Sequence, residues 1–174
     1  MACTQTLSGL TKDCAPNIGG IKAAWVANFA DVEAVSLTDG KISAFTMATS
    51  AKFKKYDFRP GSSTFNSTLN VSPDSGVNYV STDIQLVFAK METQKRVEMA
   101  ALSQGELALI VLDNNGIYWY FGYDEGVVAS AGSGATGTAR GDANAYGITL
   151  QDNSKSWPYE ILASVITSSI VDRL

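Results

Sequence analysis

The 174-residue chain contains no histidine. Imidazole is the commonest general base near neutral pH and a frequent metal ligand, so its absence excludes the Ser-His-Asp and Cys-His catalytic sites and the usual zinc sites. The chain has only two cysteines, Cys3 and Cys14. Two thiolates without histidine do not complete a tetrahedral zinc site, and we predict two reduced thiols in a cytoplasmic product. We therefore expect no catalytic residue, no metal and no cofactor.

Long apolar runs and an excess of positive charge are also absent. No run approaches the roughly 20 apolar residues that cross a bilayer, and the first residues, MACTQTLSGL, show no basic segment followed by an apolar one. The formal net charge of −4 disfavours a dedicated nucleic-acid-binding protein, whose surface is basic. We expect a soluble protein that makes no contact with a membrane.

The remaining pattern is mostly that of β-strands. Residues 21–29 alternate, with Trp25 on one side and Lys22 on the other, which predicts a half-buried strand. Thr38-Asp39-Gly40 separates two apolar segments and predicts a hairpin. Other strands are predicted at 52–59, 64–71, 80–88, 107–112, 117–121, 146–151 and 159–166. Short strands separated by turn residues at roughly 8 to 12 residue spacing indicate a β-sandwich or a small barrel.

One segment breaks this pattern. Residues 92–103, ETQKRVEMAALS, contain strong helix formers, and Val97, Ala100 and Ala101 share one helical face. They predict a single helix that ends near Gly105. The predicted fold is therefore mainly β, a sandwich or small barrel with one packed α-helix. Residues 1–20 are predicted to form an N-terminal arm and residues 21–174 a single domain.

Residues 106–151 are the most informative part of the chain. Residues 107–112 and 117–121 are apolar and aromatic throughout, and they flank Asp113-Asn114-Asn115-Gly116. Asn-Gly supplies the positive φ angles of a type I′ turn, so we predict a tight hairpin. Strands that are apolar on both sides need cover on both faces. We therefore predict that another subunit supplies part of that cover, which indicates assembly rather than catalysis.

A glycine-rich segment follows the hairpin. Gly132-Ser133-Gly134-Ala135-Thr136-Gly137 matches the GxGxxG pattern of dinucleotide-binding sites, but no helix follows it to receive a pyrophosphate. We predict instead a loop at 131–142 that is mobile in an isolated subunit and ordered by a neighbour. The tripeptide Arg140-Gly141-Asp142 is predicted to be a turn with a local Arg–Asp pair.

Residues 52–59, KFKKYDFR, interleave four cations with three aromatic side chains. Three interpretations remain open: a subunit contact, an edge strand on which lysines discourage unwanted pairing, and a platform that binds single-stranded nucleic acid. We prefer the subunit contact. The candidate subunit-interface residues are Lys52, Lys54, Lys55, Tyr56, Arg59, Gly132, Gly134, Gly137, Arg140 and Asp142.

Four groups of residues carry a resemblance to a known family: 13–22 with 27–29, 55–59 with 63–65, 111–119, and 137–146. In their order and spacing they resemble phage tail-tube-type proteins, particularly those encoded by phages and prophages of Bacteroides-like bacteria. The resemblance spans most of residues 13–165. It implies a β-sandwich or small barrel with one packed helix, similar to the subunit of the type VI secretion tube.

The resemblance also implies a function and partners. Such subunits close into homo-oligomeric rings around a channel for DNA, as a tail tube, or as a tail ring or collar in short-tailed phages. The implied partners are other copies of the chain and neighbouring tail, collar or portal proteins, with non-specific passage of DNA through the lumen. The implied location is the virion tail, after assembly in the host cytoplasm. A different class also stays open, a small β-domain that binds single-stranded nucleic acid or carbohydrate.

Overall fold

The computed structural model describes residues 7–12 and 14–173, and these form two β-sheets and one α-helix, α1, at Thr93–Gln104. In chain order the strands are β1 (Ile21–Asn28), β2 (Val32–Thr38), β3 (Lys41–Met47), β4 (Lys54–Tyr56), β5 (Thr64–Ser72), β6 (Val77–Ala89), β7 (Leu107–Asp113), β8 (Tyr118–Phe121), β9 (Val128–Ala135), β10 (Ala145–Ser154) and β11 (Tyr159–Ile161). Neither sheet closes on itself within the described residues. The predicted mainly β fold, a sandwich with one helix, is confirmed.

The larger sheet has seven strands in the order β2-β3-β11-β8-β7-β1-β4. Neighbouring strands are antiparallel, except that β3 and β11 are parallel. The middle of this sheet is buried on both faces. The prediction that β1 is half-buried is wrong, because Ala24 and Val26 are buried as completely as Trp25. Their small apolar side chains face the second sheet.

The smaller sheet has four strands in the order β5-β6-β10-β9, all antiparallel to their neighbours. One face carries Ile84, Leu86, Ile148 and Leu150, which are buried in a core shared with the larger sheet. The opposite face of the smaller sheet is largely exposed. The two sheets therefore form a sandwich with a core between them.

A second core lies on the other face of the larger sheet. Ile166 and Val171, which follow β11, pack there against Phe45 and Phe53. The strand predicted at 159–166 ends at Ile161, and the chain then crosses this face. As a result, the side chains of residues 107–111 in β7 are at most 4% exposed within the single chain. The prediction that another subunit supplies part of the cover of these strands is therefore wrong for β7.

The hairpin of β7 and β8 forms as predicted, but its turn differs. The Gly116 N–H donates to the Asp113 carbonyl at 3.2 Å, and Gly116 has a φ of +85° while Asn115 does not adopt a positive φ. This is a four-residue turn whose last residue is a left-handed glycine, and the type I′ prediction is wrong. The Asp113 carboxylate stabilises the longer turn, because it accepts hydrogen bonds from the N–H groups of Asn115 and Ile117 at 2.8 and 2.9 Å.

Helix α1 forms where the sequence predicts it but presents a different face to the core. Val97 is 55% exposed, and Ala100 and Ala101 are also exposed. The side that packs on the core carries Leu102, which is buried, and Met99. Alanine supplies little apolar area, so the two larger side chains determine the orientation.

Candidate interaction surfaces

The basic strip predicted at 52–59 is a strand only at β4, which is an edge strand of the seven-stranded sheet. Phe53 is fully buried. The Lys55 ammonium lies 5.6 Å from the centroid of the Trp25 ring, and the Tyr56 hydroxyl donates to Glu98 at 3.0 Å. Several side chains of the strip therefore make their contacts within the chain.

The outer edge of β4 is covered by the segment that follows β11. The Asp172 carboxylate accepts a hydrogen bond from the Lys55 N–H at 2.9 Å, and the Arg173 guanidinium donates to the Lys55 carbonyl at 3.2 Å. Further hydrogen bonds join this segment to Phe53 and Lys52. Because its backbone groups are already paired, this edge is closed to another chain.

A cleft of about 580 Å³ lies between β4 and α1. Lys54 and Lys95 line it together with Glu98 and Asp172, so both signs of charge are present. Burial, and then the hydrogen bond to Glu98, raises the pKa of Tyr56, which keeps the phenol neutral. The cleft lacks the excess of positive charge with which proteins bind a polyanion.

The glycine-rich segment is not a single loop. Residues 128–135 form β9, which pairs with β10 and places Gly132 and Gly134 in an edge strand. The prediction of one loop over 131–142 is therefore wrong for this part. Small side chains allow the pairing, because a Cβ on Gly134 would come within 2.9 Å of the Tyr146 ring.

The rest of the segment is a loop held together by Asp142. Its carboxylate accepts hydrogen bonds from the N–H groups of Ala139 and Thr138, both at 2.7 Å, and these bonds lower the pKa of Asp142. Gly137 has a φ of +71°, and a Cβ there would overlap the Asp142 side chain. Within the described part of the chain the carboxylate binds these backbone groups and not Arg140, so the predicted Arg–Asp pair is wrong.

The structure brings some of the candidate residues together and separates others. Arg59 and Asp142 line one cleft of about 390 Å³, beside Lys90. Gly132 and Gly134 lie along another cleft, of about 500 Å³, which opens between β9 and α1. The remaining strip residues, on or beside β4 in the other sheet, are Lys52, Lys54, Lys55 and Tyr56.

The two edges of the four-stranded sheet are less protected than those of the larger sheet. Soluble proteins usually block an edge with charged residues, proline, bulges or a covering segment. β5 and β9 contain no charged residue and no proline, and no described strand pairs with their outer sides. β4 is covered, and β2 is interrupted by two register shifts, against one in β9. β5 and β9 are therefore free edges.

The exposed face of the four-stranded sheet is polar but almost uncharged. Its strands contain two carboxylates, Asp83 and Asp152, and no lysine or arginine. Asp152 is buried on the core side, which leaves Asp83 as the charged group of the exposed face. The same face carries hydroxyl and amide side chains, among them Thr64, Asn66, Thr68, Gln85, Thr149 and Gln151.

The hairpin of β5 and β6 ends in exposed apolar side chains. Leu69 is 46% and Val71 is 57% exposed, although both lie on the core-facing side of β5. Val77 and Tyr79, on the opposite side, are 43% and 39% exposed. Exposed apolar side chains that lie side by side, as Leu69 and Val71 do, often mark an interaction site. The sequence does not reveal this exposure. The alternation of apolar residues in β5 is the same whether or not the larger sheet extends over the end of the hairpin.

The described residues 7–12 and 14–173 contain no group of three or more cysteine and carboxylate side chains that could hold a metal ion. In the same residues no helix has the length and apolar character needed to cross a membrane. Cys14 is an exposed free thiol, and Cys3 lies outside the described residues. No family model matches the chain, and no curated protein or solved structure matches it.

Proposed function

We propose that the protein is a structural subunit of a phage tail, and that it forms a homo-oligomeric ring around the channel for DNA. The ring belongs to a tail tube, or to a ring or collar of a short tail next to portal proteins. The sequence resemblance supports the phage tail, and the free edges of the four-stranded sheet support the ring. The role is structural rather than catalytic.

The observation that carries the proposal is the presence of two free edges on one sheet. Each strand of β5-β6-β10-β9 is antiparallel to its neighbour, so β5 and β9 run in opposite directions. Copies related by rotation about one axis keep the same orientation along it. β9 of one copy would then meet β5 of the next as an antiparallel pair, and this head-to-tail contact gives a ring when the rotation closes.

The stagger of the strands supports closure. The centre of β9 lies beside Ile148 of β10, whereas the centre of β5, Thr68, aligns through Ser81 with Asn153. If the two edges pair centre to centre, each copy is shifted along the strands by about five residues, roughly 17 Å, relative to its neighbour. The four strands of one copy are together roughly 19 Å wide. The strands would then tilt about 40° from the ring axis, and β-sheets close into barrels at tilts of about 35–45°.

The exposed face of this sheet suits the wall of a DNA channel. Duplex DNA carries about one negative charge per 1.7 Å of its axis, so lysine or arginine on the wall would retain it. The four strands carry neither, and Asp83 adds a charge of the same sign as DNA. We propose that this face lines the channel and that DNA passes without sequence-specific contacts.

Proline substitution in β9 tests the ring. Successive residues of a strand direct their N–H groups to opposite sides, so one of Gly132→Pro and Ser133→Pro removes an outward N–H without breaking the bonds to β10. We expect that variant to stay folded by circular dichroism and to lose the rings that wild-type protein shows by native mass spectrometry and negative-stain microscopy. Wild-type protein that stays monomeric throughout concentration and salt series, or rings unaffected by both prolines, would contradict the proposal.

The alternative, a small β-domain that binds single-stranded nucleic acid or carbohydrate, stays a prediction. Of the aromatic residues in the strip, Phe53 is buried, and Tyr56 and Phe58 are half-buried. Base stacking needs exposed ring faces. Oligonucleotide binding by the purified monomer, with strong salt dependence, would favour this alternative over the ring.

A further inference from the structure

We infer that each copy places Leu69 and Val71 of its β5 in the cleft between β9 and α1 of the next copy. This inference rests on the proposed ring and identifies the side-chain contact that holds it together. It is carried by apolar side chains without cover at one edge of the sheet and by an open cleft at the other edge.

The donor surface is the core-facing side of β5 near the end of the hairpin. Phe65, on the same side, packs on Trp119 and Phe121 with ring centroids 6.3 and 5.3 Å apart. Leu69 and Val71 lie farther along the strand and stay about half exposed, at 46% and 57%. Burying such side chains stabilises a contact by roughly 25 cal/mol for each Å² removed from water.

The acceptor surface is the cleft of about 500 Å³ beside β9. Its floor includes Ile148, a residue of the core between the sheets, so the cleft opens on the core-facing side of β9. Its walls carry mostly small side chains, which leave room beside the edge. The wall residues include Met99, Ala100 and Ser103 of α1 and Ala129, Gly132 and Gly134 of β9.

A continuous sheet brings donor and acceptor to the same side. Residues directly opposite each other in an antiparallel pair point to the same face, so only an even shift aligns the core-facing sides of β9 and β5. The offset between the centres of the two strands is about five residues, so the nearest even shifts between neighbouring copies are about four and about six residues. Leu69 would then lie opposite Ala129 with the shift of four and opposite Gly132 with the shift of six, so a large apolar side chain would face a small residue beside α1.

The limited packing of α1 agrees with this contact. A surface helix usually buries a stripe of apolar residues, but Leu102 is the buried residue of α1 within the described chain. Ala100 is exposed and lines the cleft. The neighbour's Leu69 and Val71 would cover this side of the helix and so complete its packing.

Single substitutions on the hairpin test the donor. Leu69→Asp and Val71→Asp place a charge in the proposed contact, and Val77→Asp is the matched control, because Val77 is 43% exposed on the opposite side of the same hairpin. We expect loss of rings with the first two and retention with the control. All three positions are exposed, so thermal unfolding monitored by circular dichroism should stay close to that of wild type.

Mixing two variants tests the head-to-tail geometry. Ala100→Glu blocks the acceptor, and Val97→Glu is its control, because Val97 is 55% exposed and does not line the cleft. Ala100→Glu keeps an intact donor and Leu69→Asp keeps an intact acceptor. Each should be monomeric alone, and their mixture should give heterodimers of twice the chain mass without rings.

The outcomes separate this inference from the proposed ring. If Leu69→Asp and Val71→Asp form rings as readily as Val77→Asp, the hairpin contact is overturned while the ring stands. Equal loss of rings in all three folded variants overturns the assignment of the contact to one face. Wild-type protein that never assembles overturns both the contact and the ring.

Discussion

At the scale of the single residue, Asp152 is the carboxylate of the four-stranded sheet whose pKa is shifted by its surroundings. It is 3% exposed on the core side of β10. Burial raises its pKa, hydrogen bonds from the Ser154 hydroxyl and the Gly122 N–H oppose that shift in part, and the nearby charges of Asp124 and Glu125 add to it. The folded state therefore favours the protonated carboxyl more than the unfolded state does.

Asp152→Asn should remove a pH-dependent loss of stability. Between the ordinary pKa of aspartate, about 3.9, and the raised pKa of Asp152, the folded state binds more protons than the unfolded state. The free energy of unfolding of the wild type therefore falls as pH rises through that window and stays lower above it. Urea unfolding at a series of pH values from about 4 to 8 measures this fall, which the variant should lack. If the free energies of unfolding of wild type and Asp152→Asn differ by the same amount at all pH values, the prediction is refuted.

Among the elements, the segment after β11 closes both an edge and a core. Val171 is fully buried and forms a parallel bridge with Phe53, and the Trp25 indole N–H donates to the Arg173 carbonyl at 2.7 Å. The same segment pairs with the outer side of β4 through Asp172. It therefore replaces the cover that a further strand or a second subunit would otherwise supply.

Val171→Ala should lower the free energy of unfolding by about 2 kcal/mol, because it removes buried apolar area and leaves a small cavity. Val128→Ala, at a position in β9 that is 43% exposed, is the control and should change it by no more than about 0.5 kcal/mol. Denaturant unfolding of both variants gives the comparison. Similar effects at the two positions would show that the segment does not pack on the larger sheet.

The sequence predicts the elements that local signals determine. The hairpin around Asp39 and Gly40 is predictable because turn chemistry and alternation are close together in the chain. The cover of β7 is not predictable in this way, because it comes from distant residues that have no periodic pattern. β9 has the composition of a loop, and only its pairing with β10 makes it a strand.

The same distinction applies to the candidate interface. An edge strand is one of the three interpretations of the basic strip at 52–59, because charge on a strand is a local signal, and β4 does lie at the edge of the larger sheet. The exposure of Leu69 and Val71 depends on where the opposing layer ends. That boundary is a property of the packed sandwich, and the residue types of β5 do not predict it.

At the scale of the whole molecule, the residues that line the proposed ring contact are uncharged. The chain has 13 lysines and arginines against 17 aspartates and glutamates. None of the cations lies in β5, β6, β9 or β10. The proposed contact consists of backbone hydrogen bonds and apolar side chains, which salt screens little.

Ring assembly should therefore depend weakly on ionic strength. Between about 0.05 and 0.5 M salt the Debye length falls several-fold, and contacts between exposed charges weaken accordingly. We expect the protein concentration at half-assembly, measured by light scattering, to change less than about threefold over this range. The double substitution Lys54→Glu and Lys55→Glu, in the basic strip at 52–59, should leave the protein concentration at half-assembly unchanged. A steep loss of assembly with salt would instead place the subunit contact at the basic strip at 52–59.

The strand order of the larger sheet also determines when, during synthesis, the sheet can be completed. β11 lies between β3 and β8, although it follows both in the chain. Until β11 has been synthesised, the sheet consists of two fragments, β2-β3 and β8-β7-β1-β4, and pairing over such sequence separations is slow, on the order of milliseconds to seconds. A nascent chain that lacks β11 therefore has an incomplete larger sheet, and we expect it to join the proposed ring only after Val171 has closed the second core.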